Sequence, residues 1–138
     1  MTLVADTSVV LPALVDGGAA GEAARAALSG DELIAPALLD VEVAAALRGR
    51  VLGGKLLGEA AEGALTALAA LPITRFDAVP LLRRIWELRH NLTAYDATYV
   101  ALAEAFGAGL VTADERLAKS TGPRCAVRLV RSVADSGV

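Results

Sequence analysis

Short apolar segments alternate with longer helix-forming stretches along this chain, and this alternation constrains the fold more than any other feature. The predicted strands are residues 3–6, 32–35, 73–76, 109–112 and 127–130. The predicted helices are residues 8–15, 21–28, 37–50, 56–71, 79–90, 94–106 and 115–119. Strands buried on both faces read as continuous apolar runs, as Leu-Val-Ala and Gly-Leu-Val do in the first and fourth predicted strands. The alternation therefore predicts an α/β fold with a mainly parallel sheet.

The composition bounds the kind of protein. No linker, repeat or low-complexity segment interrupts the 138 residues, so we expect one domain over residues 1–138. Hydrophobic residues make up 55%, and the mean hydropathy is +0.53. Two interpretations remain open: an alanine-rich core, or an apolar surface that a partner or a second copy covers. No apolar run approaches the ~20 residues that a membrane span needs, so we expect no membrane association.

Charge and cysteine content limit the partners and the compartment. The formal net charge is −3, which argues against a general nucleic-acid coat because phosphate affinity comes mainly from clustered Lys and Arg. The single Cys125 permits no internal disulfide, and no signal peptide is recognisable ahead of the first strand. We therefore expect a cytoplasmic protein.

Several common kinds of site are excluded by the residues available. The single His90 and Cys125 do not supply the ligands of a zinc site, and a Ser-His-Asp triad would depend on a histidine in a polar helix end. Residues 49–55 match the spacing G-x-x-x-x-G-K, but Leu56 stands where a P-loop needs Ser or Thr. This segment also follows a helix, whereas a P-loop follows a strand.

Carboxylates remain, and the positions of four are informative. Asp6 and Asp114 each come at the end of a predicted strand, where open α/β sheets place their ligand crevice. Glu42 and Asp96 lie among small and apolar side chains on predicted helices. Taken singly, Asp6 and Asp114 suit helix N-caps, and Asp96 has the spacing of a capping box with Thr93.

Glu42 lies on a helix that is apolar nearly all round, so periodicity does not show which of its faces is the deeper one. If Glu42 and the other three acids face one crevice, their charges repel, by about 4 kcal/mol for a pair ~4 Å apart at an effective dielectric near 20. Such a cluster must bind protons or hold a cation. Oxygen ligands alone suit Mg²⁺ or Mn²⁺, and these ions support phosphodiester hydrolysis.

Three stretches carry a family resemblance. They are VADTSVVL at 4–11, IAPALLDVEVAAALRG at 34–49 and YDATYVALAEAFGAGLVTADERLA at 95–118. In these stretches the chain resembles the PIN-domain nucleases, and more closely the VapC toxins of bacterial toxin–antitoxin pairs.

The resemblance implies a three-layer α/β/α domain with a central, mainly parallel sheet of four or five strands. It also implies a metal-dependent endoribonuclease in which Mg²⁺ or Mn²⁺ is held, directly or through water, by Asp6, Glu42, Asp96 and Asp114. Ser8 and Thr112 would orient these carboxylates or water. Glu115, next to Asp114, could supply or disturb a ligand.

The implied partners are RNA, a VapB-like antitoxin and a second copy of the chain, in a homodimer that forms a heterotetramer or a larger assembly with the antitoxin. RNA needs local positive charge. The candidate contacts are Arg48, Arg50, Arg83, Arg84 and Arg89. A solvated helix face is the alternative for Arg83 and Arg84.

Two other functions remain open at this point. The protein could be a catalytically silent partner-binding module whose acids act only as helix caps. It could also be a phosphatase that forms an aspartyl phosphate on Asp6. That chemistry usually wants a second acid two residues on and a lysine, whereas this chain has Ser8 and only Lys119 near the motifs.

Overall fold

A five-stranded parallel sheet forms the centre of the computed structural model, which describes residues 1–132. The strands are β1 (Thr2–Ala5), β2 (Glu32–Pro36), β3 (Ile73–Phe76), β4 (Gly109–Thr112) and β5 (Val127–Leu129). Their order across the sheet is β3-β2-β1-β4-β5, and every neighbouring pair is parallel. The predicted α/β class and parallel sheet are confirmed, and each predicted strand end lies within one residue of the observed one.

Helices cover the sheet in two groups. They are α1 (Thr7–Val15), α2 (Ala19–Leu28), α3 (Leu38–Leu52), α4 (Gly58–Ala70), α5 (Leu82–Glu87), α6 (Ala94–Phe106) and α7 (Glu115–Ala118). Helices α1 to α4 pack against one another, whereas α6 contacts β1, β2 and β4 and has α5 packed against it. The arrangement is the three-layer α/β/α fold that the family resemblance implied.

The predicted helix at residues 79–90 is wrong at both ends. Val79–Leu81 form a 3-10 turn, and α5 ends at Glu87. Leu88 and Leu92 are both buried, and a tight turn at residues 88–92 brings both side chains into the core. Burial of these two leucines therefore ends the helix earlier than the local pattern predicts.

The most buried elements are β1 and α6. Leu3, Val4 and Ala5 are at most 2% exposed, and seven consecutive residues of α6, from Ala97 to Ala103, are buried. Because three of these seven are alanines, the helix can lie close against the sheet. The interpretation of the composition as an alanine-rich core is confirmed.

Large apolar side chains are nevertheless also found at the surface. They are Met1, Val41, Leu52, Leu57, Leu65, Val79, Leu82, Trp86, Tyr95 and Phe106. The second interpretation of the composition, an apolar surface available to a partner, is thus compatible with the first. In the part of the chain from residue 1 to residue 132, no helix has the length and apolar character needed to cross a bilayer.

The carboxyl ends of β1 and β4 lie side by side, and this register places the predicted site. Ala5 pairs with Val111, and the Asp6 backbone N–H then donates to the Val111 carbonyl at 3.2 Å. Helix α1 begins immediately after Asp6, and α7 begins immediately after Asp114. The two acids predicted at strand ends therefore come to one edge of the sheet, as parallel strands require.

Candidate functional site

Asp6 is the most buried of the four predicted acids, with 6% of its surface exposed. One carboxylate oxygen, Oδ1, accepts hydrogen bonds from the Ser8 backbone N–H at 3.0 Å and from Ser8 Oγ at 2.5 Å. The other, Oδ2, accepts a hydrogen bond from Thr112 Oγ1 at 2.6 Å. Asp6 thus caps α1, as its position predicted, but its carboxylate is also tied to β4.

Burial raises the pKa of Asp6 to about 6, although the hydrogen bonds from Ser8 and Thr112 lower it. The negative charge of Asp96 raises the pKa of Asp6 slightly further. An ionised carboxylate in this environment gains from a nearby positive charge.

Ser8 and Thr112 connect the ends of β1 and β4. Their hydroxyl oxygens lie 3.2 Å apart. Ser8 Oγ also accepts from the Ala113 backbone N–H at 2.8 Å, and Thr112 Oγ1 accepts from the Asp114 backbone N–H at 3.1 Å. The two hydroxyls therefore fix Asp6 and the backbone that leads to Asp114 in one hydrogen-bonded network.

Glu42 reaches the site from α3 and is held by two hydroxyl groups. Its Oε1 accepts from Thr7 Oγ1 at 3.0 Å and from the Tyr99 hydroxyl at 2.5 Å. Tyr99 is 2% exposed, and burial together with the Glu42 carboxylate raises the pKa of this phenol. Tyr99 therefore stays protonated and keeps donating to Glu42. Asp40, two residues before Glu42, instead pairs with Arg75 at 3.0 Å.

Thr7 and Tyr99 were not predicted as site residues. Tyr99 lies one turn after Asp96 on α6, so its place on that face was visible, but an aromatic residue on an apolar face is usually core. Thr7 directly follows Asp6 in the first motif. Their contacts with Glu42 span 57 and 35 positions, which no local pattern reveals.

Asp96 and Asp114 are joined by an arginine that the sequence did not single out. Arg116 Nη2 lies 3.2 Å from Asp96 Oδ2 and 3.3 Å from Asp114 Oδ2. Asp114 also caps α7, accepting from the Arg116 backbone N–H at 2.9 Å, and Thr93 caps α6 by accepting from the Asp96 backbone N–H at 3.1 Å. Asp114 is therefore a helix cap as predicted, and Thr93 forms its half of the predicted capping box, while the Asp96 side chain pairs with Arg116, which it shares with Asp114.

Asp6 and Asp114 lie at one edge of the sheet, Arg116 joins Asp96 to Asp114, and Thr7, the residue after Asp6, donates to Glu42. These acids do not form a ready-made ligand set. Within residues 1–132, no three carboxylate, imidazole or thiol side chains are close enough together to hold a metal ion. The donors are nonetheless the oxygen ligands that Mg²⁺ and Mn²⁺ prefer. Arg116 shows that a positive charge is accommodated between two of them. In donor chemistry, the residues fit a hard divalent cation.

The predicted RNA contacts separate into two groups. The guanidinium group of Arg84 is bound by Glu104, at 2.6 Å and 3.2 Å, and by the Gly122 carbonyl at 2.9 Å, so it stabilises the packing of α5 on α6. This environment is not the solvated helix face considered as the alternative for Arg84, and its role as an RNA contact stays a prediction. The other four keep some exposure. They are Arg48, Arg50, Arg83 and Arg89, of which Arg89 stacks on the ring of Trp86 at 4.7 Å.

Comparisons with known proteins agree with this architecture. A family model described as PIN domain matches residues 3–122. Ribonuclease VapC1 of Mycobacterium tuberculosis is 44% identical over 129 residues, which cover 93% of this chain and 97% of that protein. Ribonuclease VapC9 of the same organism is 44% identical over 130 residues, covering 93% and 98%.

Two solved structures share the fold at low sequence identity. VapC20 of Mycobacterium tuberculosis, a sarcin-ricin loop cleaving toxin, has a TM-score of 0.66 and 19% identity over 83% of this chain and 92% of that chain. VapBC2 of Rickettsia felis, bound to a DNA fragment from its promoter, has a TM-score of 0.71 and 14% identity over 95% and 100%.

Proposed function

This chain belongs to the PIN domain family, and on that premise we propose that it is a metal-dependent endoribonuclease of the VapC type, a toxin restrained by a VapB-like antitoxin. The observation that carries the proposal is the environment of Asp6. This carboxylate is 6% exposed, oriented by two hydroxyl groups, and has a raised pKa. Among residues 1–132 it forms no salt bridge with a cationic side chain. A helix cap alone does not require this burial.

The proposed ligands of the divalent cation, Mg²⁺ or Mn²⁺, are Asp6, Glu42, Asp96 and Asp114, directly or through water. When bound, the cation would activate water and neutralise the charge that builds up on the scissile phosphate. Residues of the chain itself orient the ligands for this cation. Hydroxyl donors fix the orientation of two ligands, Asp6 and Glu42, before any cation arrives.

Substrate binding is assigned to the arginines that keep some exposure. Arg48, Arg50, Arg83 and Arg89 are the proposed contacts with the RNA backbone. The net charge of −3 makes such local positive groups necessary, because the molecule as a whole does not attract a polyanion.

The proposed protein partners are a VapB-like antitoxin and a second copy of the chain, in a homodimer that builds a heterotetramer or a larger complex. Support comes from the number of large apolar residues that are exposed, since a partner would remove this surface from water. We propose the cytoplasm as the compartment in which the toxin meets its RNA.

The test is cleavage of total RNA by the purified protein, freed from any bound partner, in Mn²⁺, Mg²⁺ or EDTA. Discrete fragments that require metal and disappear in both Asp6→Asn and Asp96→Asn would support the proposal, and the fragment ends would identify the target. Absence of cleavage by folded, partner-free protein would favour the silent binding module. Metal-independent cleavage that persists in both variants would come from a contaminating ribonuclease, and repurification to remove it would then precede the comparison.

A further inference from the structure

Arg116 is placed between two of the proposed ligands, although they belong to different elements. A single nitrogen, Nη2, contacts Asp96 Oδ2 on α6 at 3.2 Å and Asp114 Oδ2 before α7 at 3.3 Å. Asp96 and Asp114 have 23% and 34% of their side-chain surface exposed. A guanidinium group therefore occupies the position from which one cation would reach both carboxylates.

The Arg116 side chain is free to leave this position. It is 69% exposed, and within the described residues its guanidinium group has no partner other than these two carboxylates. Exposed ion pairs of this kind contribute little to stability, because water and salt screen them and the long side chain loses entropy when it is held. When the side chain moves, the Arg116 backbone N–H still donates to Asp114 Oδ1, so Asp114 still caps α7.

Two cations compete when they need the same carboxylate oxygens. With Arg116 in place, one positive charge already offsets the repulsion between Asp96 and Asp114, so a divalent cation gains less from binding there. Once the guanidinium group leaves, the two carboxylates face each other without compensation, and their affinity for a divalent cation rises.

We propose that Arg116 is an internal counter-ion that holds Asp96 and Asp114 together in the metal-free protein and must withdraw from both before a divalent cation binds them. This inference rests on the proposed function, because it assumes that these two acids are metal ligands. Arg116 is then a positioning residue that sets the metal affinity of the site.

The experiment measures Mn²⁺ binding by titration calorimetry and the melting temperature in EDTA and in Mn²⁺. The variants are Arg116→Ala, Arg116→Lys and Arg131→Ala. Arg131→Ala is the matched control. Arg131 pairs at 2.7 Å with Glu115, which lies on α7 beside Arg116, and it contacts none of the proposed ligands. This variant therefore removes the same charge from the same region of the surface.

We expect Arg116→Ala to tighten the apparent Mn²⁺ dissociation constant by about two- to fivefold, the effect of losing one exposed ion pair. Its melting temperature in EDTA stays at or slightly below that of the wild type, while its gain on adding Mn²⁺ is larger. Arg116→Lys keeps the charge, so its Mn²⁺ dissociation constant should lie between those of the wild type and Arg116→Ala. Arg131→Ala should bind Mn²⁺ within twofold of the wild type. The difference between wild type and Arg116→Ala narrows at high salt, since salt screens the ion pair.

Unchanged or weaker Mn²⁺ binding by Arg116→Ala would overturn the inference, and so would an equal increase in affinity in Arg131→Ala. Asp96→Asn separates this failure from failure of the proposed function. If the wild type binds Mn²⁺ and Asp96→Asn does not, the metal site stands whatever Arg116 does. If the wild type binds no more Mn²⁺ than Asp96→Asn, both the metal site and the inference are wrong.

Discussion

Two parts of the acidic edge are built by different physical means. Around Asp6, a buried carboxylate is held by the hydroxyl groups of Ser8 and Thr112 and lies against the core strands. Around Asp96 and Asp114, partly exposed carboxylates are paired with the exposed guanidinium group of Arg116. The first part is fixed by packing and short hydrogen bonds, and the second by an ion pair that solvent screens. Changes in the first should therefore have larger effects than changes in the second.

The largest effect is expected from Asp6→Asn. The proposed metal loses a charged ligand, so RNA cleavage should fall by at least about 100-fold, the upper end of the loss typical for residues that merely orient ligands. The measurement is the rate of metal-dependent cleavage. Asp16→Asn is the control, because Asp16 ends the same helix and accepts a hydrogen bond from the Gly18 backbone N–H at 2.7 Å, away from the acids. Wild-type cleavage by Asp6→Asn would remove the basis of the proposed function.

The pH dependence of stability provides the next test of the buried part. The pKa of Asp6 is about 6 in the folded chain, compared with 3.8 for an unperturbed aspartate. Between these values the folded chain binds more protons than the unfolded chain. The free energy of unfolding therefore falls as pH rises from about 4 to about 6, and the contribution of Asp6 is constant above that range.

The loss is on the order of 2–3 kcal/mol, given the size of the pKa difference. The measurement is the free energy of unfolding from urea denaturation in EDTA, for the wild type and for Asp6→Asn. Subtracting one from the other at each pH removes the contributions of the acids that both proteins share. A difference that does not change with pH would mean that Asp6 titrates normally in the folded protein.

Thr112→Val keeps the side-chain shape and removes the hydroxyl group that donates to Asp6 Oδ2. We expect cleavage to fall by about 10- to 100-fold, because the carboxylate is no longer oriented. The free energy of unfolding should fall by about 1–3 kcal/mol, since a buried acceptor loses its partner. Thr98→Val is the matched control: Thr98 is also buried, but its hydroxyl donates to the Ala94 carbonyl at 2.7 Å. Equal loss of cleavage in both variants would show that stability alone is responsible.

Tyr99→Phe removes one of the two hydroxyl groups that donate to Glu42. The effect should be smaller than that of Thr112→Val, up to about tenfold in cleavage, because Thr7 still donates to the same oxygen. Thr7→Val should then lower the cleavage rate more in the Tyr99→Phe variant than in the wild type, because the two hydroxyl groups donate to the same Glu42 oxygen. A double-mutant cycle on the cleavage rate measures this coupling, and strict additivity would contradict it.

The smallest effect is expected from Glu115→Gln, in the exposed part. Glu115 is 56% exposed and pairs with Arg131 rather than with a proposed ligand. Cleavage should change by less than twofold, and the free energy of unfolding by less than about 0.5 kcal/mol. A tenfold or larger fall in cleavage would place Glu115 in the site. The exposed part would then contribute as much to cleavage as the buried part.

Prediction from sequence succeeded where the signal was local. The strands β1 to β4 are short segments that are each followed by a helical segment, so the parallel sheet was predicted from residues close together in the chain. Asp6 and Asp114 were found in the same way, because a strand end and a helix cap are both local features. The end of α5 was missed because burial of Leu88 and Leu92 is a tertiary effect.

The partners of the charged groups could not be predicted from the sequence. Asp40 and Glu42 lie on a helix whose periodicity favoured neither face, and only packing showed that Asp40 pairs with Arg75 while Glu42 reaches Tyr99. Arg84, a predicted RNA contact, pairs with Glu104, 20 positions away, which no local pattern indicates.

The sequence by itself determined the fold class, the family and the helix caps at Asp6 and Asp114, because apolar periodicity, strand ends and helix caps depend on neighbours in the chain. Only the tertiary structure decided which groups bind the predicted acids. Thr112 reaches Asp6 across 106 positions and Tyr99 reaches Glu42 across 57. The physical reason is that a hydrogen bond or an ion pair depends on distances of about 3 Å, and such distances between remote residues exist only after the sheet and its helices have packed.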